Sequence, residues 1–478
     1  MESYLALLRE FVFFKTISTD PAYKNEIEKC VTWLSGLFKE NGFEVEIWRG
    51  EGNPVVYADY RLPITDYRQK ETILVYGHYD VQPAYASGFG EASPLRSGEG
   101  EASPLRSGEG EAKPAEELWK KEGWKRDPFI LRKVGDRLVA RGVIDNKGQI
   151  LIHMATVFKL IREGKLKYNI KFLIEGDEET GAGDLRKQIK INKEKLKVDH
   201  VLVSDGEIVG DSPVIELSFR GGFNCTLHYA TALTNVHSGI YGCAIPNAAY
   251  ELAKFAAGLY DKNNRVVVPG FYDGVDKISP EQKTNSKKLL KLSGDVLGMI
   301  GAKKMLTEPG LDFFTQTGLR PALEVTGFKS GYISEGYANI IPATAEVKMN
   351  VRLVTSQDPD RVASALEKYV KKVTPKHVDF KFTVFGKHFP IRVDVSNDKT
   401  QLVKRLLRGS HGKEAVHRHI GGAIPIVFDF VNELKANTIM VPLCNEDCNM
   451  HGAGENFRVD LVEKGLDFSG RFFGNASS

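Results

Sequence analysis

Cysteine is scarce in this chain of 478 residues, which has only five, at positions 30, 225, 243, 444 and 448. An odd and sparse set cannot form the disulfide framework of a secreted protein, and reduced thiols are typical of the cytosol. The opening segment MESYLALLREFVFFKTIS carries charges inside its apolar pattern. It therefore predicts a helix rather than a signal peptide, and we expect a cytoplasmic protein.

Long apolar runs and an excess of one charge are also missing. No run approaches the roughly 18 to 20 residues that span a bilayer, so no membrane segment is expected. The formal net charge is +3, with 65 basic and 62 acidic residues, so nothing in the charge calls for a nucleic-acid partner. The length exceeds what a single hydrophobic core usually serves, which predicts two domains.

The first two hundred residues alternate helical and strand patterns. Helical periodicity covers 2–15, 24–40 and 147–164, and strand patterns cover 43–48, 54–60, 71–80, 169–179 and 199–207. This alternation predicts a doubly wound α/β sheet. Three of its strands run directly into histidine or carboxylate residues, for which a purely structural sheet has no need.

From about residue 220 the pattern changes to βαββαβ, the order of a ferredoxin-like α+β unit. Helix and strand alternation resumes after about residue 390. We therefore expect a first domain made of residues 1–218 and 390–478, with a second domain, residues 219–389, inserted into it.

The segment EASPLRSGEG occurs twice in succession, at 91–100 and 101–110. It is rich in glycine, serine, proline and glutamate and has no apolar periodicity, so burial cannot offset its ordering entropy. The repeat predicts a mobile surface loop, and the simplest interpretation is a tolerated insertion.

Polar side chains at strand ends suggest a metal site. The set contains two imidazoles, several carboxylates and no thiolates, which suits zinc, manganese or cobalt. One ion needs three or four protein ligands, and this set offers enough for two ions that share a carboxylate. Its members are His78, Asp80, Asp145, Glu178, Glu179, Asp205 and His451.

The motifs around these residues resemble, in order and spacing, the M20 family of di-metal peptidases and amidohydrolases, particularly its dipeptidase branch related to carnosinase. They read GHYDVQPA, RGVIDNKG, EGDEETG, SDGE, VHSGIYG and NMHGAGE. The resemblance implies a zinc-binding α/β catalytic domain with an inserted ferredoxin-like lid domain that forms a homodimer.

The resemblance also implies the ligands of two divalent ions per subunit, most simply zinc. Asp145 would bridge the two ions. His78 and Asp205 would complete one site, and Glu179 and His451 the other.

Two further carboxylates would assist these ligands. Asp80 would accept the other ring N–H of His78 and so fix its tautomer. Glu178 would be the general base. The adjacent glutamates can divide these tasks only if the backbone bends, which the flanking Gly176 and Gly181 would permit.

The remaining implied roles belong to the substrate. His237 would reach the active site of the partner subunit and stabilise the oxyanion, and Arg352 would bind the terminal carboxylate of a small peptide. Asn339, Gly421 and Gly422 would line the same pocket.

The sequence departs from the family in two places, of which the first is minor and the second limits the choice of substrate. Asn146 stands where a second acid often follows the bridging aspartate. His419, Ile420 and Ala423 replace polar residues of the carnosinase branch, so carnosine is not the expected substrate. Asp205 is the residue that the resemblance associates with dipeptidases and aminopeptidases rather than with carboxypeptidases and deacylases.

The sequence therefore predicts a metal-dependent hydrolase of peptide bonds, a dipeptidase or short-peptide exopeptidase. One alternative is an N-acyl-amino-acid deacylase on the same scaffold. A second is a non-catalytic zinc-binding protein with Cys444, Cys448 and His451 as a zinc knuckle. A third is an inactive scaffold, which the complete ligand set disfavours.

The repeat gives the first testable prediction. Deletion of residues 91–110 leaves the fold and the metal content intact, because a segment without apolar periodicity contributes little to a core. Thermal unfolding and metal analysis of the shortened chain measure this. A much lower melting temperature or a loss of metal would contradict it.

Overall fold

The computed structural model describes residues 1–63, 70–84, 119–181, 183–422 and 424–474, so the repeat at 91–110 lies outside the described residues. The chain divides into two compact units. The first consists of Met1–Gln188, Val203–Glu207 and Pro442–Ser478, and the second of Ile189–Leu202 and Ile208–Val441. The predicted domain boundaries near 218 and 389 stay a prediction.

The N-terminal part of the first unit follows the predicted alternation. Its elements are α1 (Glu2–Phe13), α2 (Lys24–Glu40), β1 (Glu44–Trp48), β2 (Val55–Tyr60), β3 (Thr72–His78), β4 (Arg132–Val134), β5 (Arg137–Val139), α3 (Lys147–Arg162) and β6 (Asn169–Glu175). Strands β1, β2 and β6 pair antiparallel, and β3 pairs parallel with β6. Strand β3 is buried along its whole length, as expected of a strand covered on both faces.

Helix α4 (Gly183–Ile191) and strand β7 (His200–Val203) have residues in both units. The second unit continues with β8 (Val214–Phe219), β9 (Gly221–Ala230), β10 (Val236–His237), α5 (Ser238–Tyr241), α6 (Ala248–Ala257), α7 (Pro280–Ser293), α8 (Val296–Ile300), α9 (Phe313–Leu319), β11 (Ala322–Ser330), β12 (Ile340–Ile341), β13 (Thr344–Leu353), α10 (Pro359–Val373), β14 (Asp379–His388), β15 (Ile391–Arg392), α11 (Asp398–His411), β16 (Val416–Ile420), α12 (Ile426–Asn432) and β17 (Asn437–Met440).

Four of these strands form an antiparallel sheet in the order β11, β13, β9, β14. Together with α6 and α10 they give the predicted order βαββαβ, which α7, α8 and α9 interrupt. Strand β13 alternates, and its inward residues Val347, Met349 and Val351 are buried in the core of this unit. Helix α10 begins at Pro359 behind Asp358, whose side chain accepts hydrogen bonds from the first-turn amides.

The chain ends in the first unit with β18 (Asn456–Arg458), which pairs with β5, and α13 (Val459–Phe473). Helix α3 contacts α1, α13 and β3, so it is the central helix of this unit. Within the described ranges, none of the helices combines the length and apolar character of a membrane span.

His153 in the middle of α3 links distant parts of the first unit. Its Nε2 lies 2.8 Å from Ser204 Oγ and its Nδ1 3.1 Å from Ser469 Oγ. Burial lowers the pKa of His153 to about 3. The folded protein therefore keeps this ring neutral at pH values where the unfolded chain protonates it.

This difference predicts a pH-dependent stability. Below pH 6.5, His153 binds a proton in the unfolded state but not in the folded state. The free energy of unfolding therefore falls as the pH falls. Each pH unit is worth about 1.4 kcal/mol, so this residue accounts for a loss of about 2 kcal/mol between pH 6.5 and 5. Urea unfolding at pH 7 and pH 5 should show a smaller loss for His153→Gln than for the native chain. Equal losses would contradict the prediction.

Candidate active site

His78 and Asp80 follow each other at the end of β3, and both are completely buried. His78 Nδ1 lies 3.2 Å from Asp80 Oδ1 and 3.1 Å from the Asp80 carbonyl oxygen. The other carboxylate oxygen of Asp80 accepts a hydrogen bond of 3.1 Å from the Glu179 amide. Asp80 thus connects the His78 ring to the loop that carries the adjacent glutamates.

Asp145 lies between the two histidines that the sequence singled out. Its Oδ1 is 3.1 Å from His78 Nε2, and its Oδ2 is 2.8 Å from His451 Nε2. Burial opposes ionisation, but the hydrogen bonds to His451 and His78 outweigh it and hold the pKa of Asp145 below its usual range. A carboxylate with one imidazole on each oxygen has the geometry of a bridging ligand.

Two groups of possible ligands share this aspartate. His78, Asp145 and Asp205 form one, and Asp145, Glu179 and His451 form the other. In each group the ligand atoms lie within 4.8 Å of one another. The structure therefore brings together the five residues predicted as metal ligands, in the predicted division.

The loop from Gly176 to Gly181 turns the adjacent glutamates. Residues Glu178–Thr180 form a 3₁₀ turn, and Gly181 closes it with a φ of 103°, a conformation that favours glycine. A Cβ at Gly176 would collide with the Tyr79 ring. These two glycines allow the bend that the sequence predicted.

Asn53 fixes the start of the same loop. Its backbone and side-chain N–H groups donate to the Asp177 carboxylate at 2.6 and 2.7 Å, and its side chain also donates to the Gly176 carbonyl at 2.8 Å. Sequence reasoning did not find Asn53, because it lies more than a hundred positions away in an unremarkable glycine-rich stretch.

His451 has a left-handed backbone conformation, which residues other than glycine rarely adopt. Its φ is 62°, and that of the nearby Asn449 is 53°. Such strain persists where the surrounding structure enforces it, and it is common at functional sites. Here it accompanies the direction of the His451 ring toward Asp145.

Crowding of carboxylates dominates the electrostatics of the site. Burial, together with the charges of Asp205 and Glu179, raises the pKa of Glu178 well above its usual range. Burial and Asp145 likewise raise the pKa of Glu179 to about 8 and that of Asp205 to about 6. The positive charges of the protein itself therefore do not offset the repulsion among these carboxylates.

These properties fit divalent cations. Two unit charges 4 Å apart interact by about 4 kcal/mol at an effective dielectric constant of about 20, so several buried carboxylates repel one another strongly without a cation. Glu179 Oε1 is buried and has no hydrogen-bond partner among the described residues. Imidazole nitrogens and carboxylate oxygens are the donors that zinc, manganese and cobalt accept.

Neither group of possible metal ligands found among the described residues contains a cysteine. Cys444 Sγ donates to the Gly206 carbonyl at 3.0 Å, and Cys448 Sγ donates to Glu207 Oε1 at 3.3 Å. His451, the third proposed ligand of the knuckle, contacts Asp145 instead. This geometry does not favour the non-catalytic alternative.

The other predicted site residues belong to the second unit. His237 is exposed, and its Nδ1 accepts a hydrogen bond of 3.0 Å from the Gly239 amide. The amide after His237 donates to the Asn339 carbonyl at 2.9 Å, so these two predicted residues are neighbours. Arg352 is partly buried, and its Nε donates to Asn350 Oδ1 at 2.8 Å.

The glycine pair follows β16. The Gly422 carbonyl accepts a hydrogen bond of 3.1 Å from the Arg220 amide, and a Cβ at Gly421 would press on the Thr317 carbonyl. The catalytic and substrate-binding roles of the five predicted residues in the second unit stay predictions. These residues are His237, Asn339, Arg352, Gly421 and Gly422.

Two groups of possible metal ligands that share an aspartate, beside an α/β sheet, are the arrangement expected of a hydrolase that uses two metal ions. Residues 114–475 match the sequence model of peptidase family M20/M25/M40, which is most of the chain. The chain belongs to this family and is an M20 metallopeptidase.

Curated relatives match almost the full chain. It is 25% identical to Beta-Ala-His dipeptidase of Homo sapiens, with 99% of this chain and 90% of that protein covered. It is 24% identical to Cys-Gly metallodipeptidase DUG1 of Saccharomyces cerevisiae, with 97% and 93% covered.

Among solved structures, an M20 family metallo-carboxypeptidase, Sso-CP2 from Sulfolobus solfataricus, has a TM-score of 0.80 at 26% identity, with 99% of both chains covered. Human carnosine dipeptidase 1 has a TM-score of 0.77 at 21% identity, with 99% of this chain and 96% of that chain covered, which shows the fold. The predicted family and its mixed α/β fold are thus confirmed.

The shared aspartate gives a prediction about metal stoichiometry. Asp145→Ala removes a ligand from both groups and should abolish tight binding of both ions, whereas Asp205→Ala should leave one. Metal analysis of the purified, desalted variants measures this, with circular dichroism as the control for folding. An Asp145→Ala protein that still holds two ions would contradict a bridging role.

Proposed function

We propose that this protein hydrolyses the peptide bond of dipeptides, or the terminal bond of short peptides, with two divalent ions, most simply zinc. The observation that carries the proposal is the pair of ligand groups that share Asp145, with Glu178 beside them and outside both groups. The dipeptidase names of the curated relatives support the same substrate class.

In this proposal the ions, when bound, lower the pKa of water and polarise the scissile carbonyl. Glu178 accepts the proton of the attacking water and passes it to the leaving amine. In the bare chain, burial and neighbouring carboxylates raise the pKa of Glu178, and the nearby cations, when bound, would offset that negative charge so that Glu178 can begin as the carboxylate.

Asp80 acts through His78. The carbonyl and carboxylate oxygens of Asp80 lie against Nδ1 and hold the ring so that Nε2 faces Asp145, and they increase the basicity of that nitrogen. The buried position of both side chains keeps this orientation rigid.

The second unit would supply substrate recognition. Arg352 offers a guanidinium fork to a terminal carboxylate. His237 would donate to the oxyanion, with Asn339, Gly421 and Gly422 along the same pocket. Residues 219–389 would form the inserted lid domain.

A homodimer through this lid is part of the proposal. Helix α5 and the loops beside β10 and β12 expose large apolar side chains, which soluble proteins usually cover with a partner. They are Leu233, Ile240, Tyr241, Ile333 and Tyr337. Because His237 lies next to these loops, a partner that covers them would lie close to it.

The cytoplasmic location also remains part of the proposal. It is supported by the cysteines, since all five are free and four are buried. A reducing compartment keeps such thiols unpaired.

A substrate panel tests the function. Dipeptides should be cleaved, and the matching N-acetyl amino acids should not, in buffers with zinc, manganese or cobalt. Glu178→Ala should keep two ions and lose about 10²- to 10⁴-fold in kcat, the usual contribution of a general base. Liquid chromatography of the products and metal analysis measure both.

Two results would contradict the proposal. Faster cleavage of the N-acetyl amino acids would indicate a deacylase. An unchanged kcat of Glu178→Ala on dipeptides would remove Glu178 as the base.

A further inference from the structure

Glu455 follows His451 by four positions, is completely buried, and has no part in the site described above. Its carboxylate accepts hydrogen bonds from the loop that carries Asp145. Oε2 accepts from the Gly142 amide at 3.1 Å, and Oε1 accepts from the Ile144 amide at 3.0 Å. The segment before the shared aspartate is thus held by a side chain that lies more than three hundred positions later.

Arg141 neutralises this carboxylate. Its Nη1 donates to Glu455 Oε2 at 2.7 Å, and the guanidinium lies 5.4 Å from the centre of the Trp124 ring. Arg141 itself is almost completely buried. The pair is therefore a desolvated ion pair rather than a surface contact.

The other end of the guanidinium reaches two more loops. Nη2 donates to the His451 carbonyl at 2.9 Å and to the Pro83 carbonyl at 3.2 Å. Pro83 lies in the loop that follows His78, the last residue of β3, and that also carries Asp80. The Arg141 guanidinium thus contacts the segments that carry His78 and His451. Because Arg141 itself lies four positions before Asp145, it connects the segments of three of the five predicted ligands.

Stability alone does not account for such a pair. Removing two charges from water costs several kcal/mol per ion, and hydrophobic replacements of buried ion pairs are often at least as stable. The hydrogen bonds instead specify where the loops lie relative to one another. A two-ion site needs this, because a ligand displaced by a fraction of an ångström binds weakly.

We propose that Arg141 and Glu455 are positioning residues that hold Asp145 and His451 in register and so set the affinity of the protein for its metal ions. The proposal rests on the proposed function, since it requires that the native chain binds divalent ions.

The second unit offers a matched control. Arg320 Nε and Nη2 donate to the two carboxylate oxygens of Glu308 at 3.1 and 3.0 Å, and Glu308 is buried. Neither residue contacts a proposed ligand. Glu308→Gln therefore reproduces the loss of a buried ion pair without a change next to the ligand groups.

The experiment compares Glu455→Gln and Glu308→Gln with the native chain. Zinc affinity of the metal-free, folded proteins is measured by competition with a chromophoric chelator. We expect Glu455→Gln to bind zinc at least tenfold more weakly, the usual effect of changing a partner of the ligands. We expect Glu308→Gln to stay within about twofold of the native chain. Thermal unfolding of both variants measures the structural cost separately.

The outcomes separate the two proposals. A native chain that binds no zinc would overturn the proposed function. If the native chain binds zinc and Glu455→Gln binds it as tightly as Glu308→Gln does, only the positioning role is overturned. If Glu455→Gln does not fold, Arg141→Lys decides. It keeps the charge but loses the fork that reaches the His451 and Pro83 carbonyls, so zinc binding at least tenfold weaker supports the role, and native affinity overturns it.

Discussion

Repulsion between buried carboxylates is the constraint on which the site depends. Five carboxylates lie beside two imidazoles in the first unit, and the pKa values of Glu178, Glu179 and Asp205 are raised because burial and like charges disfavour ionisation. A protein gains nothing from such an arrangement unless cations neutralise it. In the proposed function, the same charges that are unfavourable in the bare chain would become the metal ligands and the general base of this M20 metallopeptidase.

The scaffold acts mainly by fixing loops. His78 is the last residue of strand β3, so the pairing of that strand fixes its position. Asp145 and His451 lie on loops without regular structure, so hydrogen bonds from other residues must fix their positions. Asn53 holds the glutamate loop, and the Arg141–Glu455 pair holds the loops of Asp145 and His451. The backbone strain at His451 belongs to the same pattern, because a rare conformation persists only where its surroundings enforce it.

Much of this could be predicted from the sequence because the signals are local. Periodicity located β3, α3 and β6 to within a few residues, and strand ends marked His78 and Glu179. The resemblance supplied the pairing of Asp145 with both histidines. Asn53, Arg141 and Glu455 were missed, although the last two lie inside quoted motifs. Their role depends on contacts between residues that are far apart in the chain, and residue spacing carries no sign of them.

The proposed site requires two ions that share Asp145. Anomalous diffraction from crystals grown with zinc would show whether both are bound. We expect two peaks per chain, each about 2.0 to 2.2 Å from one oxygen of Asp145, with His78 and Asp205 at one and Glu179 and His451 at the other. A single peak, or a peak held by Cys444 and Cys448, would contradict it.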